Sequence, residues 1–468
     1  MTQKGIKKFI GNKAFFKLVF LVALPPMLQQ LATSSVNLLD NLMIGQLGDA
    51  ALGGVAAVNR FYMISIFGTQ GVLAAAGIFI AQFFGAKDAE HMKQSFRFSL
   101  IAAYLFAIIS FLLGVLFPEA IIRFFTTDVL VIAHGVDYMR LAAWTFLFMA
   151  LSLAIASAMR SIGESHIPLK ISVLAVCING GLNYIFIFGH LGLPAMGVKG
   201  AAYATIIARM IEALLYLFML IKIGYPFATK IKDIFKMSKK LVKMIIIKAS
   251  PLALNEILWS CGMATLFKFY ATRGSEVLSG YSIASTISDL FFVLFGGMAV
   301  ASMILISQPL GANKLDEARE NAYKMLGFSF ILACVFGSMM FLSSFIIPNL
   351  YNVSAEANQL ATNVLRVMSG LFWVYMFNVE CYFILRAGGD TKSTLCMDSL
   401  YMWTVNLPIV GCFCYLTDLP IMALYLIGQS TDLIKLAFAY SLVKREKWVV
   451  NLTEVMHKEE EEIESLLT

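Results

Sequence analysis

The chain has 468 residues, of which 59% are hydrophobic and 14% charged, and it carries a formal net charge of +7. An ordinary soluble domain holds roughly 25% charged residues, and no soluble core could absorb so much apolar surface when runs of about 20 apolar residues, the length that crosses a hydrocarbon core of roughly 30 Å, recur along the chain. A β-barrel would show short alternating segments instead, so the sequence predicts an all-α membrane protein. Its positive charges lie mostly between the apolar runs and report topology rather than a nucleic-acid partner.

The stretch from Met1 to Lys17 is basic and has no small-residue cleavage site before the first apolar run, which makes it a cytoplasmic flank and not a removed signal. Apolar runs then fall at about 15–44, 53–82, 98–117, 138–158, 168–189, 197–222, 245–270, 277–307, 325–347, 362–385, 394–416 and 420–442. Twelve spans leave both termini on one side. Lys4, Lys7, Lys8, Lys13 and Lys17 precede the first span, Lys87, Lys93 and Arg97 follow the second, and Lys314, Arg319, Lys324, Arg386, Lys392, Lys444 and Arg445 recur on the same side, which the positive-inside rule makes cytoplasmic. The seven cysteines are scattered without a Cys-x-x-Cys spacing and read as small apolar residues.

Four parts are expected: a six-helix lobe over 1–221, a basic cytoplasmic linker over 222–244, a second six-helix lobe over 245–443, and a cytoplasmic acidic tail over 444–468. In the linker, Ile231, Ile234, Phe235 and Leu241 are spaced for an amphipathic helix along anionic head groups. The tail from Glu459 to Glu464 reads as a solvated end. The lobes match each other at a constant shift of 226 positions: Pro25 meets Pro251, Gly54 meets Gly280, Gln82 meets Gln308, Arg160 meets Arg386 and Arg209 meets Lys435. An even number of spans in each half gives both the same orientation, so a pseudo-two-fold axis along the membrane normal relates the lobes, with a cleft between them.

Charges within spans carry the chemical signal, because each costs about 2.5–3.5 kcal/mol at a helix centre. In the first span Asp40 shares a helical stripe with Thr33 and Asn37, beyond a Pro25-Pro26 pair that frees backbone carbonyls and bends the helix. The alternative puts Asp40 at the outer helix end, merely wet. Asn179 and Asn183, four apart in the fifth span, could complete a site with it: a carboxylate plus amide oxygens holds Na+, and a carboxylate steadied by amides holds a proton. The same two Asn could instead be packing hydrogen bonds. In the seventh span Asn255-Glu256 stands where Gln29-Gln30 stands in the first. Glu256, with Trp259, Ser260 and Met263 along its face, offers charge and an aromatic surface to an organic cation, with Gln30, Thr33 and Glu380 as further substrate contacts. A structural Glu256 paired to a basic residue, with Lys268 as a distant candidate, is the competing reading. Asp289 and Asp398 are weaker candidates. Arg209–Glu212 and Asp432–Lys435, each three apart, read as self-neutralising pairs.

These features together resemble the multidrug and toxic compound extrusion (MATE) family of the multidrug, oligosaccharidyl-lipid and polysaccharide exporter superfamily. The stretches that carry the resemblance are Pro25-Pro26 followed by Asp40, Met43-Ile44-Gly45, Gln82-Phe83-Phe84-Gly85-Ala86, the segment from Leu254 to Trp259 and the segment from Leu385 to Lys392. The resemblance implies cation-coupled antiport by a V-shaped pair of bundles, with the family's first-helix carboxylate at Asp40 and its fifth-helix asparagine at Asn179. One branch of the family has Asp where this chain has Asn183, and Glu256 resembles the seventh-helix carboxylate of other branches, so both Na+ and H+ stay open as coupling ion.

The expected function is a secondary active exporter of amphipathic organic compounds in the cell membrane, working as a monomer in the lipid bilayer with no cofactor beyond its coupling ion. A lipid-linked saccharide flippase would want a cationic cavity for its pyrophosphate, whereas Asp40 and Glu256 are acidic. A polytopic membrane enzyme would need a catalytic constellation, and the sequence has neither a Walker loop nor a His-Glu-x-x-His motif.

Overall fold

Prolines and short caps punctuate an otherwise continuous helical chain. The computed structural model describes residues 8–350 and 354–458; the side chains at 36–38, 41, 42, 49, 275, 276, 278 and 279 lie outside that description, and the expected role of Asn37 with them. Sixteen α-helices follow one another: α1 (Lys13–Gly45), α2 (Asp49–Gly85), α3 (Ala89–Leu116), α4 (Pro118–Phe125), α5 (Val129–Ala142), α6 (Thr145–Ser161), α7 (His166–Phe188), α8 (Val198–Ile223), α9 (Lys239–Ala271), α10 (Ser275–Ser302), α11 (Gln308–Gly311), α12 (Leu315–Ser343), α13 (Ala355–Ala387), α14 (Thr391–Leu395), α15 (Leu407–Leu416) and α16 (Ile421–Lys444). π-helical turns at Met303–Ser307, Cys396–Leu400 and Met402–Asn406 join α10 to α11 and α14 to α15 without ending the helical path. Asp88 and Asp128 cap the starts of α3 and α5 through their carboxylates, as Ser354 caps α13 through its hydroxyl.

Among the described residues, 10 segments are long and apolar enough to cross a membrane, and the pair α5 and α6, bent by 53° at their junction, makes one more. The remaining span is α9. Its 33 residues are ample length, but Asn255 and Glu256 in its middle dilute its apolar character, which is the first structural sign that it carries a site. Twelve spans therefore stand, the fourth of them broken.

The chain divides into two compact units. One comprises Met1–Met27, Ala81–Lys87 and Ser250–Thr468; the other comprises Leu28–Ile80 and Asp88–Ala249. The second is cored by Ile44, Val55, Ile122, Met139 and Ile187, the first by Met298, Phe372, Val410 and Tyr425 among others. The repeat is visible in how each packs. A Cβ on Gly54 would lie 2.6 Å from Gly135 N and 2.9 Å from Val131 O, and one on Gly280 would lie 2.6 Å from Ala357 O. Val131 and Ala357 stand in the same relation to each other as Gly54 and Gly280, so one helix crossing is built twice on glycine because nothing larger fits.

The expected amphipathic linker helix is not formed. α8 ends at Gly224 in a left-handed cap, and only a 3₁₀ turn, Ile231–Asp233, precedes α9, to which Leu241 belongs. Ile231 and Phe235 are 89% and 82% exposed. Side chains of α3 hold this stretch instead: Arg97 donates to Thr229 Oγ1 at 2.8 Å and to the Lys236 carbonyl at 2.6 Å, and Gln94 Oε1 accepts from Ser238 N at 2.7 Å. The Lys236 ammonium, 2.7 Å from Asp233, holds that carboxyl below its usual range. Beyond α16 the chain also docks: Trp448 and Met456 are buried, and Gln82 accepts from Leu452 N at 2.7 Å and donates to the Val450 carbonyl at 3.3 Å. The acidic run Glu459 to Glu464 lies outside the described residues.

Candidate ion and substrate sites

Pro25 and Pro26 sit inside α1 and deprive the Leu21 and Val22 carbonyls of their helical donors, which makes this the turn where α1 bends most cheaply. One turn on, Gln29 donates from Nε2 to Ser172 Oγ on α7 at 2.7 Å. Three turns further, Asp40 Oδ1 accepts from Asn183 Nδ2 at 2.6 Å. Both contacts join residues 143 apart in sequence, so α1 and α7 run parallel in a fixed register, with Gln29 and Asp40 three turns apart on one face of α1. Asp40 lies in the last two turns of α1 and is half-buried, so it is held by a partner as well as lying near the helix end.

Around Asp40 the donors and acceptors form a chain. Asn183, 1% exposed, also lies 3.4 Å from Asn179 Oδ1, and Asn179 Nδ2 lies 3.4 Å from Thr205 Oγ1 on α8. Tyr138 on α5 faces both Asp40 and Thr205. Asn183 Oδ1 is buried without a hydrogen-bond partner, an orphan oxygen of the sort a desolvated cation takes up. The set brings together three of the four residues expected to couple an ion, Asp40, Asn179 and Asn183, and adds Tyr138 and Thr205, which sequence spacing alone does not single out. Thr33 uses its hydroxyl on the Gln29 carbonyl in its own helix, and Gln30 is exposed.

In the other unit Glu256 is half-buried and faces Arg386 and Tyr382 of α13 and the like charge of Asp398; exposed Lys268 is not among these groups. Trp259 and Met263 are 39% and 38% exposed and continue the face of α9. Asn255 donates to Asp398 Oδ2 at 3.0 Å, and its own Oδ1 and backbone carbonyl accept from Ser399 N and Oγ at 3.2 and 2.7 Å. Lys435 Nζ is 2.7 Å from Asp398 Oδ1, so the ion pair of α16 reaches across to the π-helical turn at Cys396–Leu400 in place of the expected Asp432. Arg209 and Glu212, by contrast, pair as expected at 2.7 Å. Glu380 is 1% exposed; Ser302 donates to its Oε1 at 2.6 Å while Oε2 has no partner, which sets it inside the packing of α10 and α13 and away from an open surface.

A family model described as MatE matches residues 25–185 and again 251–411, two spans displaced by the same 226 positions that relate the halves and each opening on a proline inside a helix. A probable multidrug resistance protein, YoeA of Bacillus subtilis (strain 168), is 24% identical over 449 residues, covering 95% of this chain and 94% of its own length. A probable multidrug resistance protein NorM of Listeria innocua serovar 6a is 26% identical over 433 residues, covering 89% and 91%. Among solved structures, a MOP superfamily transporter from Pyrococcus furiosus superposes with a TM-score of 0.83 at 19% identity, covering 95% of this chain and 99% of that one.

Proposed function

Because the chain belongs to the MATE family, we propose that it is a secondary active antiporter that exports amphipathic organic compounds, cations among them, in exchange for Na+ or H+ by alternating access. It resides in the cell membrane with both termini in the cytoplasm, as the distribution of Lys and Arg argues. The observation that carries the reading is the contact between Asp40 and Asn183, 2.6 Å across two parallel spans, with a buried orphan oxygen on the same amide. An exchanger needs a group whose occupancy differs between its two open states, and a carboxylate is such a group for either ion. As a proton acceptor Asp40 becomes neutral and a donor in its own right, changing what it can bond on α7; as a sodium ligand it stays ionised, and the Asn179 and Asn183 oxygens complete the shell.

Glu256, Trp259 and Met263 supply the recognition face: one negative charge beside an aromatic and a polarizable surface suits an organic cation without demanding one shape. Arg386 beside Glu256 tempers that charge, which favours release over tight capture.

The deciding experiment compares purified wild type and Asp40→Asn in liposomes under an imposed sodium or proton gradient. Concentrative export is abolished in the variant while the protein stays folded and binds substrate. The membrane potential supplies about 2.3 kcal/mol per charge per 100 mV, and without a coupling group none of it reaches the substrate. Undiminished gradient-driven transport by the variant refutes the assignment.

A further inference from the structure

The repeat permits a comparison that neither half offers alone. In the first half Gln29, four residues past Pro25, bonds Ser172 at 2.7 Å; Ser172 Oγ donates to Glu212 Oε1 at 3.4 Å; and Glu212 Oε2 takes Arg209 at 2.7 Å. In the second half Asn255, four residues past Pro251, bonds Asp398 at 3.0 Å, and Asp398 takes Lys435 at 2.7 Å. Under the shift of 226, Gln29 falls on Asn255, Ser172 on Asp398 and Arg209 on Lys435, but Glu212 falls on Phe438. The carboxylate has changed helix. Each half still ties an amide, a carboxylate and a cation across the same three spans, and the amide always sits one turn past the proline, on the far side of the turn the proline weakens.

Arg209 and Lys435, each half-buried within a span, both call for an acid beside them, so the half that has Phe at 438 carries its carboxylate at 398 instead. That both halves keep an acid in this network, on different helices, marks it as more than apolar packing. The second half does more with its acid than the first. The π-helical turns at Cys396–Leu400 and Met402–Asn406 widen the winding of this span and bring Asp398, Ser399 and Trp403 all onto α9, with Trp403 Nε1 donating to the Leu258 carbonyl at 2.9 Å. The corresponding stretch of the first half lies in one regular helix, α7.

We propose that Asp398 and Lys435 are positioning residues that clasp α9 just beyond Pro251, fixing its rotation so that Glu256 and Trp259, next to the clasped Asn255, present themselves to the transported cation. The clasp deepens the antiporter reading and rests on it for its purpose, though its geometry is testable without transport.

The test moves the acid back to where the first half keeps it. Asp398→Ser removes the second half's carboxylate, and Asp398→Ser with Phe438→Glu restores one three residues after Lys435, as Glu212 stands to Arg209. Two readouts are taken on purified protein: the rate at which a maleimide alkylates exposed Cys261 on α9, in a chain keeping that cysteine alone, and the affinity for ethidium followed by fluorescence. The single variant is expected to change the alkylation rate at least threefold and to weaken ethidium binding about tenfold, with turnover at saturation little altered. The double variant and Lys435→Arg are expected to return both within about threefold of wild type. An unchanged Cys261 rate in the single variant overturns the proposal, as does a double variant no closer to wild type than the single. Should Asp398→Ser fail to fold, the double variant decides: recovery of folded protein with wild-type alkylation supports the clasp, and continued failure refutes it. A wild type that moves no ethidium or other organic cation sinks the antiporter reading, while the Cys261 rates still judge the clasp.

Discussion

At Glu256 two roles compete, a charge for the substrate and a charge for the fold, and the residues around it separate them. Arg386 and Tyr382 face it while the Asp398 carboxylate adds a like charge, so Glu256 is partly compensated and still able to attract. Glu256→Gln keeps the shape and the hydrogen bonds while removing the charge. Export of organic cations is therefore expected to fall about tenfold more than export of neutral compounds, the size of one lost charge contact, measured as the ratio of initial rates in the same vesicles. Equal loss for both classes would assign Glu256 to coupling or structure. Asp40 is legible in the sequence because a carboxylate inside an apolar run stands out by its cost. Asp398 does not stand out in the same way, since its partners Asn255 and Lys435 lie 143 and 37 residues away and local spacing points Lys435 to the wrong acid, Asp432.

Elements show the same boundary between what spacing reveals and what it hides. Apolar runs locate the helices because that signal is local, whereas the 53° bend between α5 and α6 falls at Ala143-Trp144, with no proline to announce it. The phase of α14 to α15 is hidden, since two π-helical turns break the 3.6-residue period on which any prediction of facing residues depends. The linker fails differently: its apolar spacing fits a helix, but Arg97 and Gln94 of α3 take up its backbone groups at Lys236 and Ser238. The repeated glycine crossing yields a firm expectation at this scale. Gly54→Leu and Gly280→Leu each push a side chain into the backbone of a neighbouring helix, so each is expected to cost about 1–3 kcal/mol and to lower the thermal unfolding midpoint in detergent, the two by similar amounts. A variant that melts with wild type would show that the crossing has room to spare.

For the whole molecule, the even number of spans requires tags at either terminus, and a tag within residues 222–248, to report from the same side. Protease or impermeant-label accessibility in intact cells is expected to find all three closed to the outside; an external signal from either terminus would overturn the twelve-span arrangement. The halves defined by sequence and the compact units defined by packing do not coincide. Boundaries between the units cut α1 after Met27, α2 after Ile80 and α9 after Ala249, so three helices are held in common. A chain whose helices run unbroken from one unit into the other couples the unfolding of both. It should lose its structure in a single cooperative transition, with intrinsic fluorescence and helical circular dichroism melting together, and a chain severed in the linker should yield two fragments that are each degraded alone but rescued when expressed side by side.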